Sequence, residues 1–434
     1  MRPPSERGTT VAAFVSNTAT HDSRVLREAA TLGAAGFEVV LFARWEEGLP
    51  LEEERDGFRI RRVPIQGLLA SAGRALPARL ERSARRLWRA RLVDPAVRGL
   101  RRFLERTPLR LAVMRWCSAL RDHVPPAAVY HAHDLTMLPI AARFRARQGG
   151  ALVYDSHELY LETQSMARLR PLWRSLWFAY ERHHIARCDA VITVNESIAE
   201  ELATRYALRT KPTIVQNCPP RWRSDTEDPR TDHLRRHLGI SSHNRIALYQ
   251  GGLTAFRGIE QLVEALRRPG LERLAVVCLG YGPLRETLRA AATDASLAGR
   301  LYVVDAVPPD VLLEWVSSAD VAIIYTQPVC MNHRLVSPNK LFESLAAGTP
   351  VVASRLPEIQ RVMARDDVGA LVDPYRLEEL VAGIRSILDQ PPDRYAELRK
   401  RCRKMALGRY NWEREGQKLI DVYYSIVGRP AKRD

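Results

Sequence analysis

The chain has 434 residues, 46% of them hydrophobic, with 24 Gly and 27 Pro; this is ordinary globular composition, too long for one compact core. Of its 66 basic residues only six are Lys, and against 50 acidic residues they leave a net charge of +16. No run approaches the ~18 apolar residues of a membrane span. The first residues lack a signal-peptide pattern, and the six scattered cysteines have neither zinc nor disulfide-framework spacing, so a cytoplasmic protein is expected.

In the first half, apolar runs predict strands at 11–15, 38–43, 59–63, 127–131, 151–155, 190–194 and 213–216, with helical patterns such as 24–32 and 135–147 between them. Residues 66–125 break this alternation. They carry an apolar stripe through Leu76, Leu80, Ala84, Leu87 and Trp88, with Arg82, Arg85, Arg86 and Arg89 mostly off it. The window 74–121 holds 14 Arg against three carboxylates, a net +11. Two readings stay open: an inserted helical pair with a solvated basic face, or an element that binds an anionic membrane surface or a phosphate-bearing acceptor.

The polar, Pro-rich stretch 217–242 reads as a linker. Beyond it, strands are predicted at 245–250, 274–280, 301–304, 321–325, 350–354 and 369–372, with helices at 259–266, 284–292, 309–317, 340–347 and 377–388. Trp412–Val427 has the apolar spacing of an amphipathic helix. The expected fold class is α/β, with two doubly wound Rossmann-like domains facing across a cleft. The expected domains are 1–216 with the insertion 66–125, the linker 217–242, a ligand-binding domain 243–409, and a C-terminal helix in 410–434 returning to the first domain.

Three strand–loop–helix junctions of the second half carry the chemistry. In SPNKLFESLAAGTPVVAS (337–354) a helix N-terminus offers unpaired N–H groups to an anion, and Asn339 and Lys340 lie in its first turn. Glu343, one turn on, can accept two hydrogen bonds from a ribose. In YQGGLTAFRGIEQLVEAL (249–266), Gly251 and Gly252 let backbone approach a ligand, and Arg257 can chelate phosphate oxygens. LGYGPLRETL (279–288) supplies Gly280 and Gly282 in a similar turn. In the first half, His131 and His133 flank Ala132 before Asp134, an i, i+2 pair able to face one way. No third ligand is evident, so a metal is not expected. His157 and Glu158 follow the strand 151–155, and Asp22 and Arg24 follow the first strand, where a helix N-cap ion pair is the competing reading.

This series resembles the C-terminal domain of the family 4 glycosyltransferases of the GT-B fold. DSRVLREAATLGAAGFEVVLFA (22–43) and VYHAHDLTMLPIAARFRARQGGALVYDSHELY (129–160) resemble that family's N-terminal half. The resemblance implies a retaining transfer of a sugar from a nucleotide-diphosphate sugar to an acceptor, without a metal or other cofactor. It implies a donor set of Gly251, Gly252, Arg257, Gly280, Gly282, Asn339, Lys340 and Glu343. Arg257 takes the place of the family's phosphate-binding basic residue, and Glu343 that of the second Glu of its E-x7-E motif. His157, Arg257 and Lys340 are the expected catalytic residues, and Asp22, Arg24, His133, Asp134 and Glu158 the acceptor side. The chain departs at Leu335, where the first Glu would fall, and at Gly252, where many members carry Arg. An acceptor in cell-envelope, polysaccharide or glycoconjugate synthesis, a lipid-linked one included, is expected, with peripheral attachment to the inner membrane face as an option. A GT-B nucleotide-sugar epimerase and a catalytically silent binding subunit remain as alternatives. No nucleic-acid motif is present, so a nucleic-acid partner is not expected.

Overall fold

The computed structural model describes residues 10–65, 108–169, 171–223, 225–226 and 228–429. The apolar stripe and the Arg82, Arg85, Arg86 and Arg89 face of the 66–125 segment lie outside the described residues. The chain divides into two compact units, 1–154 with 429–434, and 155–428.

The first unit is built on β1 (Thr10–Phe14), β2 (Glu38–Arg44), β3 (Glu52–Arg55), β4 (Phe58–Val63), β5 (Val129–His133) and β6 (Ala151–Ser156), the last running on into the second unit. The strands lie in the order β3-β4-β2-β1-β5-β6. β1 pairs in parallel with β2 and β5, and β2 with β4. The order therefore reverses at β1 and β5, the topological switch point of a doubly wound sheet. β3, absent from the sequence expectations, pairs antiparallel with β4 through Asp56-Gly57, where Gly57 has φ +80°. Its sequence EEER has no apolar alternation, and such charge suits an exposed edge strand. Of the 66–125 segment, Pro108–Ala119 is helical; Val113, Trp116 and Cys117 are buried there and the helix packs on Asp134–Gln148.

The second unit contains a six-stranded sheet: β9 (Arg245–Gln250), β10 (Leu274–Leu279), β11 (Leu301–Val304), β12 (Val321–Ile324), β13 (Val351–Ser354) and β14 (Gly369–Val372). Their order is β11-β10-β9-β12-β13-β14, every pair is parallel, and the switch point falls between β9 and β12. The continuous apolar run of β10 follows from helices on both faces: Leu274, Val276 and Cys278 join one core, Ala275, Val277 and Leu279 another. The same unit holds β7 (Ala190–Thr193) parallel to β8 (Thr213–Ile214). The C-terminal helix Trp412–Val427 lies against β8, with the Glu415 carboxylate accepting from Gln216 N at 2.8 Å. In the stretch 217–242, Cys218 and Leu234 are buried and Arg230 pairs with buried Asp320 at 2.7 Å.

Among the described residues no helix is long and apolar enough to cross a membrane.

Candidate functional site

The switch point of the second unit is where an open α/β sheet binds its ligand, and the residues there are polar. β9 ends at Gln250, followed by Gly251 at φ +111°. Gly251 N donates to Leu279 O at 2.9 Å, tying the loop after β9 to the end of β10. A Cβ at Gly280 would come within 1.9 Å of the Gly251 carbonyl oxygen, and one at Gly282 within 2.4 Å of that of Leu253. Those two glycines make room for neighbouring backbone. Gly252 differs: a Cβ there would meet only the Thr254 methyl, at 3.9 Å, so the space is open.

Lys340 and Glu343 sit on the helix Asn339–Ala346, whose N-cap is Pro338; Asn339 is exposed at its start. The Lys340 ammonium lies 3.8 Å from the centroid of the Tyr249 ring, a cation–π contact. Burial, and then the Arg257 charge, pull the Lys340 pKa down to about 7, against a smaller opposing pull from Glu343. Lys340 thus feels a second cation, Arg257, and a carboxylate, Glu343. Gln250 Nε2 donates to Glu343 Oε2 at 2.7 Å, while Gln250 Oε1, itself buried, has no hydrogen-bond partner among the described residues. Arg257 follows Phe256, which holds φ +66°. For an aromatic residue that backbone is an outlier costing about 1–3 kcal/mol, of the kind found at ligand clamps. Gln327, just beyond β12, donates its N–H to Phe256 O at 3.0 Å and so pins the turn.

His157, Glu158 and their neighbours belong to the same unit. Asp155 is fully buried, and its carboxylate lies 2.9 Å from His157 Nε2. A carboxylate accepts only, so this bond puts a ring proton on Nε2 and leaves Nδ1 as the basic atom of the neutral imidazole. Glu158 Oε2 accepts from Asn332 Nδ2 at 2.7 Å, and Leu159 N donates to Asn332 Oδ1 at 3.1 Å. Asn332 lies on the short helix Met331–Arg334, and Asn195 Nδ2 donates to Leu335 O at 2.8 Å. In the same helix His333 Nδ1 bonds Gln327 O at 3.1 Å. The segment around Leu335 is therefore held to parts of the chain remote in sequence, by Asn195 and by its own Asn332. Gln250, Asn195, Asn332 and His333 are site residues that sequence reasoning missed. Only the strand-end position of Gln250 was a signal, because the others matter through partners more than a hundred residues away or through a bond to a loop.

In the first unit the expected residues gather at its own switch point. Asp22 caps the helix Ser23–Ala34, accepting from Val25 N at 3.3 Å, and Asn17 Nδ2 donates to its other oxygen at 2.8 Å. Arg24 pairs with Glu28, 3.0 Å away, rather than with Asp22, and both side chains are at least 97% buried. His133 stacks on His131 with ring centroids 4.3 Å apart, and His131 Nε2 is 3.9 Å from Glu28 Oε2. Glu28, His131 and His133 are metal-ligating types within 4.8 Å of one another, but Arg24 already brings a positive charge to them. Asp134, at φ +62°, opens the helix Asp134–Gln148.

Residues 23–218 match the family model for glycosyltransferase family 4, and residues 230–408 that for glycosyl transferases group 1. The chain belongs to the family 4 glycosyltransferases. Its similarity extends to an uncharacterized glycosyltransferase of Methanocaldococcus jannaschii, 26% identical over 54% of this chain and 59% of that protein. It extends also to a D-inositol 3-phosphate glycosyltransferase of Thermobispora bispora, 28% identical over 45% of this chain and 46% of that one. The chain thus spans about half the length of the curated relatives it matches. Among solved structures, sucrose-phosphate synthase from Thermosynechococcus elongatus aligns with TM-score 0.71 at 18% identity, covering 96% of this chain and 98% of that one. HepE of Anabaena, in complex with UDP and glucose, aligns with TM-score 0.64 at 14% identity, covering 96% and 100%. The two parallel sheets are those of the GT-B fold, as expected from the sequence.

Proposed function

We propose that this family 4 member transfers a sugar from a nucleotide-diphosphate sugar to an acceptor with retention of configuration, the donor seated at the β9–β12 switch point. One observation carries the reading: Lys340, set on the Tyr249 ring and within the field of Arg257, lies beside Glu343, whose carboxylate engages Gln250. Such a pocket gains most from a dianion. The charge that develops on a leaving diphosphate would meet these two cations, so no metal is required. Glu343 is suited to accept from ribose hydroxyls, with Gln250 fixing its orientation. His157, oriented by Asp155, is the group proposed to assist at the transferring sugar. Retention comes from the family resemblance alone. UDP sugars lead the donor candidates, because related folds have been crystallised with UDP-glucose and with UDP-2-fluoro glucose. Relatives named for D-inositol 3-phosphate support a phosphate-bearing acceptor, which the Arg-rich 66–125 segment would suit, as would a lipid-linked acceptor on the inner membrane face.

A thermal-shift screen against nucleotide sugars tests the donor half, since a ligand of the native state alone raises stability. The stabilising donor should lose about 1.5–3 kcal/mol of binding in folded Arg257→Ala and Glu343→Ala proteins. Wild-type affinity in both would sink the pocket. His157→Ala should slow transfer while leaving nucleoside diphosphate binding nearly intact; an unchanged rate would remove His157 from catalysis. A second reading, a catalytically silent binding subunit, is favoured by Leu335, which has no polar side-chain atom where the family carries Glu. Donor binding with no transfer to any acceptor class would select it, and conversion of donor without an acceptor would select an epimerase.

A further inference from the structure

We propose that His333 reads the transferred sugar of the donor, its Nε2 accepting a hydrogen bond from a sugar hydroxyl; this rests on the donor reading above. Two chains of contacts meet at the helix Met331–Arg334. In one, Gln327 N donates to Phe256 O at 3.0 Å, beside Arg257, and Gln327 O takes the His333 ring at 3.1 Å. In the other, Asn332 bonds the Glu158 carboxylate at 2.7 Å and Leu159 N at 3.1 Å, beside His157. The helix therefore joins the loop of the diphosphate cation to the segment of the proposed catalytic histidine. In a nucleotide sugar, the group between the diphosphate and the acceptor side is the sugar.

The chemistry of the ring agrees with that place. A carbonyl oxygen only accepts, so His333 Nδ1 must carry the proton of the Gln327 bond. Burial, and then the Arg257 charge, lower its pKa, which keeps the imidazole neutral and Nε2 an acceptor. Among the described residues the ring makes no other hydrogen bond, and it is only half-buried, so one edge is open to a ligand. Leu335, two residues on, offers no polar side-chain atom to compete for the hydroxyl. A purely structural role remains as the rival: a ring that pins Gln327 and through it Phe256 and Arg257.

The rival and the proposal part on the sugar increment, the ratio of affinity for a nucleotide sugar to affinity for its own nucleoside diphosphate. UDP-glucose, UDP-N-acetylglucosamine, GDP-mannose and ADP-glucose, each beside its diphosphate, would be titrated into wild type, His333→Ala and His333→Gln. For the donor that wild type prefers, His333→Ala should lower nucleotide-sugar affinity about 3–10-fold, as for one uncharged hydrogen bond. Affinity for the matching diphosphate should stay within about twofold. His333→Gln, whose amide oxygen also accepts, should recover part of the loss. Deoxy analogues of that donor should show one hydroxyl whose removal weakens wild type but not His333→Ala. Equal loss for sugar nucleotide and diphosphate would overturn the proposal in favour of the structural role, and an unchanged sugar increment would overturn it outright. If wild type binds none of the four pairs, the donor reading falls, and this inference with it.

Discussion

The switch points of the two units are built from similar parts and reach opposite electrostatic ends. In the first unit the Arg24 cation is matched by Glu28 within the same helix, with His131 and His133 packed beside them, all deeply buried. In the second, Lys340 lies within the field of Arg257 and beside Glu343, and burial, then the Arg257 charge, lowers the Lys340 pKa to about 7. A closed pair adds little net stability but is costly to break, whereas two neighbouring cations disfavour each other until an anion arrives. The first is a structural solution to charge burial and the second a binding solution.

The largest expected effect breaks the closed pair. Glu28→Ala removes the carboxylate that lies 3.0 Å from the buried Arg24 guanidinium and should cost about 3–5 kcal/mol of stability by denaturant unfolding. A loss below about 1 kcal/mol would show that water or rearrangement compensates, and the contrast between the units would fail. Lys340→Met should do the reverse in the ligand-free protein. It removes a cation that the fold disfavours, so stability should hold or rise, while diphosphate affinity falls about tenfold or more. Equal destabilisation by both substitutions would erase the distinction.

The pH dependence sharpens it. The Lys340 pKa is lowered from 10.5 to about 7 in the empty fold, so between these values the unfolded chain binds more protons than the native one. The stability this group contributes is therefore fully present above 10.5 and is lost as pH falls toward 7. Lys340→Met should flatten that slope. A diphosphate favours the ammonium, so binding at pH 8 should take up close to one proton per site and binding at pH 6 almost none. Calorimetry in buffers of different ionisation enthalpy measures this, and equal uptake in Lys340→Met would refute the assignment. A separate prediction concerns the basic segment. Changing Arg82, Arg85, Arg86 and Arg89 to Gln should weaken co-sedimentation with anionic liposomes, by about 1 kcal/mol per residue near the surface, and leave donor binding unchanged. Equal recovery with neutral and anionic liposomes would reject the membrane reading and leave the phosphate-bearing acceptor and the solvated basic face.

How much of this was legible in the sequence depends on whether the deciding interaction is local. The buried strands show as apolar runs because a sheet covered on both faces needs them, and two doubly wound sheets follow from their alternation with helices, whereas the GT-B fold came from the family resemblance. Gly251, Arg257, Lys340 and Glu343 show for the same reason, since each sits at a strand end or a helix start that local composition marks. β3 did not show, because an edge strand is largely exposed and EEER carries no apolar alternation. Neither did the partner of Arg24, for only packing distinguishes Asp22 as a cap from Glu28 as a counter-ion. Asn332 is unremarkable in sequence until the fold brings it to Glu158 and Leu159, and Lys340 is an ordinary lysine until Tyr249 and Arg257 close around it. Sequence by itself determined the elements, their order and the strand-end residues, because these follow from near-neighbour periodicity and caps. Tertiary structure alone decided which charges are paired and which await a ligand, because burial and distance across the fold set the energy of a charge.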